Sequence, residues 1–284
     1  MSNGQELRPF MRHRFTQAKS TLRWSERIGV AVGLLAVAVV FVPDSVAWAA
    51  WGGGLLSLGL LVTQQYVLYR FRKAYEEAEE VRRLCMLHDG LGGQVSAVKM
   101  ASLRRRFGAL EDNDGNAYYT SHLEAGPERL LMDTWESAFW SEDLQGHMAA
   151  RFWWYAAVTT GLFVVAAIVV LVGPEGPLIP KVVVASMSFL AGLNFWGKWW
   201  GARLVEASCR ETCTVCAGRI RDGAKSDLLG VMETVLGYCA TMLTADPPSD
   251  ELYEKRKPVL NAEWERVVAE LAPGGADEEQ EAKP

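Results

Sequence analysis

Long uncharged apolar runs alternate with charged, helix-favouring stretches along the chain. Residues 28–42 carry no charge over 15 positions and residues 46–69 none over 24; residues 152–172 are uncharged over 21 and residues 182–197 over 16. A helix needs about 20 mainly apolar residues to cross a bilayer core of ~30 Å. The second and third runs meet this alone. The first and fourth meet it by borrowing flanking residues at 24–27 and 198–200, whose long side chains reach the interface. Pro43, Asp44 and Ser45 are turn and cap residues between the first two runs. The pattern predicts an all-α integral membrane protein of two transmembrane hairpins, four spans in all, with a cytoplasmic helical insert and C-terminal cytoplasmic helices. No period-two strand pattern stands out, and no cleavable signal peptide is expected ahead of the first run.

The remaining segments fill in the helices between and after the hairpins. A basic N-terminal segment, 1–23, has interleaved aromatics and suits an interfacial helix on anionic lipid. The first hairpin covers 24–69, the insert 70–150, the second hairpin 151–200 and the C-terminal helices 201–270, with a disordered acidic tail at 271–284. Within the insert the second span continues as a helix to about residue 87, until His88, Asp89 and Gly90 open a glycine-rich turn. Ser96 caps a helix over 97–110, Pro127 starts the next, and Ser141 caps one that runs into the third span. A helix is expected at 226–243, and a last one is interrupted or entered at Pro258. Neither the insert nor the C-terminal region is long enough to build a generous core alone, which predicts that the two pack together or on other subunits.

Charge orients this arrangement. Of 29 Lys and Arg, six precede residue 28, eleven lie in 70–151 and eleven follow from Lys198, leaving only Lys181 in a short connection. The positive-inside rule then places both termini and the insert in the cytoplasm. Trp24, Trp153, Trp154, Trp196, Trp199 and Trp200 fall at the cytoplasmic boundary, and Trp48 and Trp51 near the opposite one, as an aromatic belt requires.

Candidate chemistry is sparse. Cys209, Cys213 and Cys216 have C-x3-C-x2-C spacing, which is the cluster-binding spacing of radical S-adenosylmethionine enzymes. On a helix, however, it puts three thiols on one face, as a packing stripe does. They are weak metal candidates. His88 and Asp89 form a ligand-like pair without further ligands nearby. No phosphate loop, nucleophile elbow or metalloprotease motif occurs, so neither enzymatic activity nor a cofactor is expected. Gln64, Gln65, Asn194 and Lys198 are costly against lipid. They either line a conduit between copies or bond between helices of one chain. Arg104, Arg105 and Arg106, then Arg219, Arg221 and Lys225, and finally Tyr253 with Arg256 are candidates to receive a phosphate-bearing ligand, against the plainer reading of solvated charge. DNA or RNA is not an expected partner.

The order of parts resembles the SMODS-associated four-transmembrane effector family of bacterial antiphage systems. "RFTQAKS" at 14–20 precedes the first span, "MDTWESAFW" at 132–140 precedes the third, and two hairpins flank an insert. "PPSDELYEKRKP" resembles a Pro-Asp-x-x-Tyr-x-x-x-Arg run of that family, with the Arg here three residues after Tyr253. The resemblance implies a homo-oligomeric effector that a cyclic nucleotide gates or assembles, after which the membrane fails as a barrier. Helices continuing out of the second and fourth spans are the expected levers, since a ligand opens the spans only by favouring one helix packing over another. The rival expectations are a membrane scaffold or sensor recruiting a cytosolic partner, and a metal or redox protein built on the three cysteines.

Overall fold

Every regular element among the described residues of the computed structural model is an α-helix; those residues are 3–40, 42, 46–108, 119–172, 178–221 and 227–271. The order is α1 (Asn3–Val40), α2 (Ala47–Leu91), α3 (Ala97–Phe107), α4 (Pro127–Val172), α5 (Leu178–Arg221), α6 (Leu228–Thr244) and α7 (Asp250–Leu271). The expected turn at 43–45, Lys225 and the tail beyond 271 lie outside the described residues.

Local signals account for several helix ends. Ser96 accepts a hydrogen bond from the Lys99 amide and caps α3, which ends at Gly108 with φ 75°. Pro127 stands at the start of α4, where its missing N–H costs nothing. Asp227 caps α6 by accepting from the Leu229 amide.

Three expected breaks are absent, and packing explains each. Helix α2 runs through His88, Asp89 and Gly90 to Leu91 and stops only at Gly92, which has φ 68° and donates its amide to the His88 carbonyl. Gly90 serves a close approach instead of a turn, because a Cβ there would meet Leu130 backbone and side-chain atoms at 2.8 Å. Ser141 does not start a helix: α4 passes through it, and its hydroxyl pairs with the Tyr238 hydroxyl at 3.0 Å. Helix α7 passes through Pro258 because Leu260 and Trp264 are buried beyond it. Pro258 is exposed, and so is Glu254, whose carbonyl it leaves without an N–H donor.

The chain divides into two compact units. The first comprises Met1–Arg12, Glu79–Gly146 and Leu204–Pro284. One hydrophobic cluster joins the insert to the C-terminal helices here: Met86 of α2, Leu130, Leu131 and Trp135 of α4, Val205 and Cys209 of α5, Val231 and Val235 of α6, and Trp264 of α7. Trp264 meets Trp135 edge-on at 5.2 Å between ring centroids.

The second unit comprises His13–Ala78 and His147–Arg203. Phe71, Ala74 and Tyr75 of α2 pack on Ala18 and Leu22 of α1, and Tyr155 of α4 meets Phe195 of α5 at 5.5 Å. Unlike a water-soluble bundle, it is apolar outside as well as inside. Trp48, Leu55, Val62, Trp154, Val165 and Trp200 are exposed, while Ser25, Ser57 and Gln64 are buried. By hydropathy, one described stretch, Pro127–Val165, is long and apolar enough to cross a membrane, and only 22 % of its apolar window is buried. The matching part of α2 is diluted by Gly52 to Gly54, Trp48, Trp51 and the Gln64–Gln65 pair.

Candidate functional site

The polar chemistry of the first unit is concentrated inside its helix cluster. Helix α2 supplies Glu79 and Arg82 one turn apart. The Arg82 Nε donates to Glu79 Oε2 at 2.7 Å, and one terminal nitrogen donates to the Tyr238 hydroxyl at 3.3 Å. The guanidinium also lies 5.1 Å from the centre of the Tyr238 ring. With Ser141 on the far side of that hydroxyl, the chain Glu79–Arg82–Tyr238–Ser141 links α2, α6 and α4. Burial pushes the Tyr238 phenol well above its ordinary range despite the nearby cation.

A second polar group sits on α4. Asp133 is fully buried, and among the described residues neither of its carboxylate oxygens has a hydrogen-bond partner. The nearest cation is the Arg129 Nε at 3.9 Å. Desolvation dominates, outweighing Arg129, and with Glu136 and Asp89 adding repulsion it lifts Asp133 to about 7. Glu136, one turn on, is better provided for. Its Oε2 accepts from the Thr120 amide at 3.1 Å and from the Thr120 hydroxyl at 2.9 Å, while Trp264 donates its indole N–H to that hydroxyl at 3.1 Å. Burial still raises Glu136 above its ordinary value. This pair escapes sequence reading because two carboxylates three apart normally mark a solvated helix face. The signal available was their place beside Leu130, Leu131 and Trp135 in one amphipathic register.

The residues singled out by sequence fall in separate places. Arg104, Arg105 and Arg106 are exposed in the last turn of α3, where cations favour the helix dipole. Arg219 lies against Gly230 at the start of α6, and Arg221 is exposed at the end of α5. Arg256 makes two bonds to the Asp143 carboxylate, at 2.9 and 2.6 Å, and Tyr253 packs on Trp140 at 5.5 Å. Those two side chains tie α7 to α4.

The cysteines pack. Cys209 and Cys216 are fully buried in the main cluster and Cys213 lies against it. Burial pushes the Cys209 and Cys216 thiols up to about 12, and Cys213 also rises above its ordinary range, so all three stay protonated at neutral pH. Among the described residues, no group of three or more His, Cys, Asp or Glu is placed to hold a metal ion.

In the second unit several polar residues are engaged inside the chain, while the buried Ser25 and Ser57 hydroxyls have no hydrogen-bond partner among the described residues. Gln64 donates its amide to the Ser25 carbonyl at 3.3 Å, and Gly29 leaves room for it, since a Cβ there would lie 2.8 Å from the amide nitrogen. Lys198 donates to Glu26 at 3.0 Å, with its ammonium 5.2 Å from the Phe152 ring centre, and Arg151 reaches the other Glu26 oxygen at 3.3 Å. One carboxylate of α1 thus holds cations from α4 and α5. Asn194 is half-buried and Gln65 exposed.

No known protein family matches the chain, and neither a curated protein nor a solved structure matches it.

Proposed function

We propose that the chain is a non-enzymatic bacterial membrane effector whose four long helices cross the plasma membrane as two hairpins, both termini lying in the cytoplasm. The observation that carries this reading is the apolar exterior of the second unit. Trp24, Leu55, Val62, Val158, Val165 and Ile168 face outward, while Ser25, Ser57, Gln64 and the Glu26–Lys198 pair are withdrawn. Water as the surrounding solvent penalises that distribution, and hydrocarbon favours it, because apolar surface costs nothing there and every polar group must be satisfied internally. Trp24, Trp153, Trp154 and Trp200 supply interfacial anchors.

In this reading the first unit is the controlling part. Helices α2 and α5 are continuous from the apolar runs into the cluster that holds Arg82, Tyr238 and Cys209. A ligand that favours one arrangement of that cluster over another shifts the same helices where they meet lipid. The motifs at 14–20, 132–140 and 247–258 favour an effector of the antiphage four-transmembrane type, assembling as a homo-oligomer that opens a pore or disrupts the bilayer. The signal we assign is a cyclic oligonucleotide received by exposed arginines such as Arg104, Arg105 and Arg106.

Full-length protein in vesicles of bacterial lipid with an entrapped dye tests this. Dye release on adding a cyclic di- or trinucleotide is the expected result, with release weakened several-fold by Arg104→Ala/Arg105→Ala/Arg106→Ala. Vesicles that stay tight to ions and dye with every such nucleotide contradict the pore reading.

A further inference from the structure

Three of the uncharged runs end where three charges meet. Glu26 stands just ahead of the run at 28–42, Arg151 directly ahead of the run at 152–172, and Lys198 directly after the run at 182–197. Their side chains converge: one Glu26 oxygen takes Lys198 at 3.0 Å and the other takes Arg151 at 3.3 Å. Helices α1, α4 and α5 therefore leave their apolar runs at one level. Exposed Trp24, Trp154 and Trp200 flank those charges along the three helices.

The triad does not balance, since two cations share one carboxylate. The cations also differ in what they can still do. The Lys198 side chain is 9 % exposed and is taken up by Glu26 and the buried Phe152 ring. The Arg151 side chain is 42 % exposed. Its guanidinium is fixed by Glu26, by Phe152 at 5.8 Å and by Tyr155 at 5.5 Å between its central carbon and the ring centres. Among the described residues Glu26 engages its Nη2, whereas a guanidinium carries five N–H donors in a planar fork.

We infer that Arg151 binds the phosphate of an anionic phospholipid, whose charge completes the Glu26–Lys198–Arg151 triad. The inference rests on the membrane reading and names the lipid chemistry met at one point of the boundary. A guanidinium already stacked on rings loses little freedom on binding, and its fork matches two phosphate oxygens. A surplus positive charge beside hydrocarbon is matched best by a lipid of net negative charge. A zwitterionic lipid brings its own cation and leaves the surplus in place. The surroundings favour a lipid over a free anion: Trp154, Tyr155 and Val158, on the same helix as Arg151, offer exposed apolar surface to acyl chains.

Full-length protein in mild detergent is titrated with phosphatidylglycerol, phosphatidylcholine or inorganic phosphate. Bound lipid is counted by native mass spectrometry, and the melting temperature is followed alongside. Wild type is expected to hold one phosphatidylglycerol about tenfold tighter than phosphatidylcholine, the ratio that one hydrogen bond to a charged group supplies. It is also expected to melt higher with that lipid and not with inorganic phosphate. Arg151→Gln is expected to bring phosphatidylglycerol down to the phosphatidylcholine level, and Arg151→Lys, which keeps the charge without the fork, to fall between. Arg266→Gln, the same loss of charge on exposed α7, is expected to bind as wild type does. Equal affinity of wild type for the two lipids overturns the inference, and that comparison needs no variant to fold. Undiminished binding in Arg151→Gln, an equal loss in Arg266→Gln, or equal protection by inorganic phosphate overturns it too. Alkaline carbonate extraction of reconstituted vesicles keeps the membrane reading separate: protein that washes off defeats that reading, whatever the lipid titration shows.

Discussion

Glu26→Gln is expected to destabilise the protein by about 3–5 kcal/mol, the usual cost of removing one partner from a buried ion pair. The Glu26 side chain is 17 % exposed and the Lys198 side chain only 9 %. Replacing the carboxylate removes the formal counter-charge of a desolvated ammonium, which keeps the Phe152 ring, a contact worth ~1–2 kcal/mol, among its neighbours. Arg151, more exposed, loses less. The same pair on a water-exposed surface is worth only ~0–1 kcal/mol, so the size of the effect reports the solvent. Denaturant titration in mixed micelles measures it. Adding Lys198→Met to Glu26→Gln is expected to restore most of the loss, because the desolvated charge disappears with it. A loss below about 1 kcal/mol, with no rescue, means that water reaches the triad.

The second large effect concerns Asp133. Its folded value of about 7 lies above the ordinary 3.8, so the folded state binds the proton more tightly than the unfolded chain. The stabilising contribution is complete below about pH 4, falls as pH rises through the interval, and is gone above about pH 7. At about 1.36 kcal/mol per unit, the change is at most about 4 kcal/mol. Glu136, raised by its own burial, adds in the same direction, and Asp89 and Arg129 are the other charges acting on Asp133. Asp133→Asn is expected to flatten this decline and to be more stable than wild type at pH 8 by ~1 kcal/mol or more, since a neutral amide is less costly to bury than an ion. Thermal unfolding followed from pH 4 to pH 8 tests it. An unaltered pH profile in the variant removes Asp133 as the source.

The helical class was legible from periodicity and from caps such as Ser96 and Pro127, which act within a few residues and depend little on context. What local signals missed was decided by distant partners. Gly90, Ser141 and Pro258 each look like a break in isolation. Each is carried through by packing against Leu130, by the Tyr238 hydroxyl, or by the burial of Leu260 and Trp264. The same limit applies to the candidate sites. Nothing in the sequence distinguishes Arg256, committed to Asp143, from Arg105, exposed on α3. Nor does it distinguish Asp133 in the core from the acidic residues on the surface. For the cysteines, the helical spacing predicted a packing face, and the cluster places them on one.

The central claim is that the outward apolar surface of residues 13–78 and 147–203 is covered by hydrocarbon with both hairpin tips on the far side of the membrane. The most direct measurement is a topology map in bacteria, with a reporter active only outside the cytoplasm fused after residue 45, after residue 175 and at either terminus. The account predicts activity at the two tips and none at the termini, in protein that resists alkaline carbonate extraction. Activity at a terminus, silence at both tips, or release of the chain into the soluble fraction contradicts it.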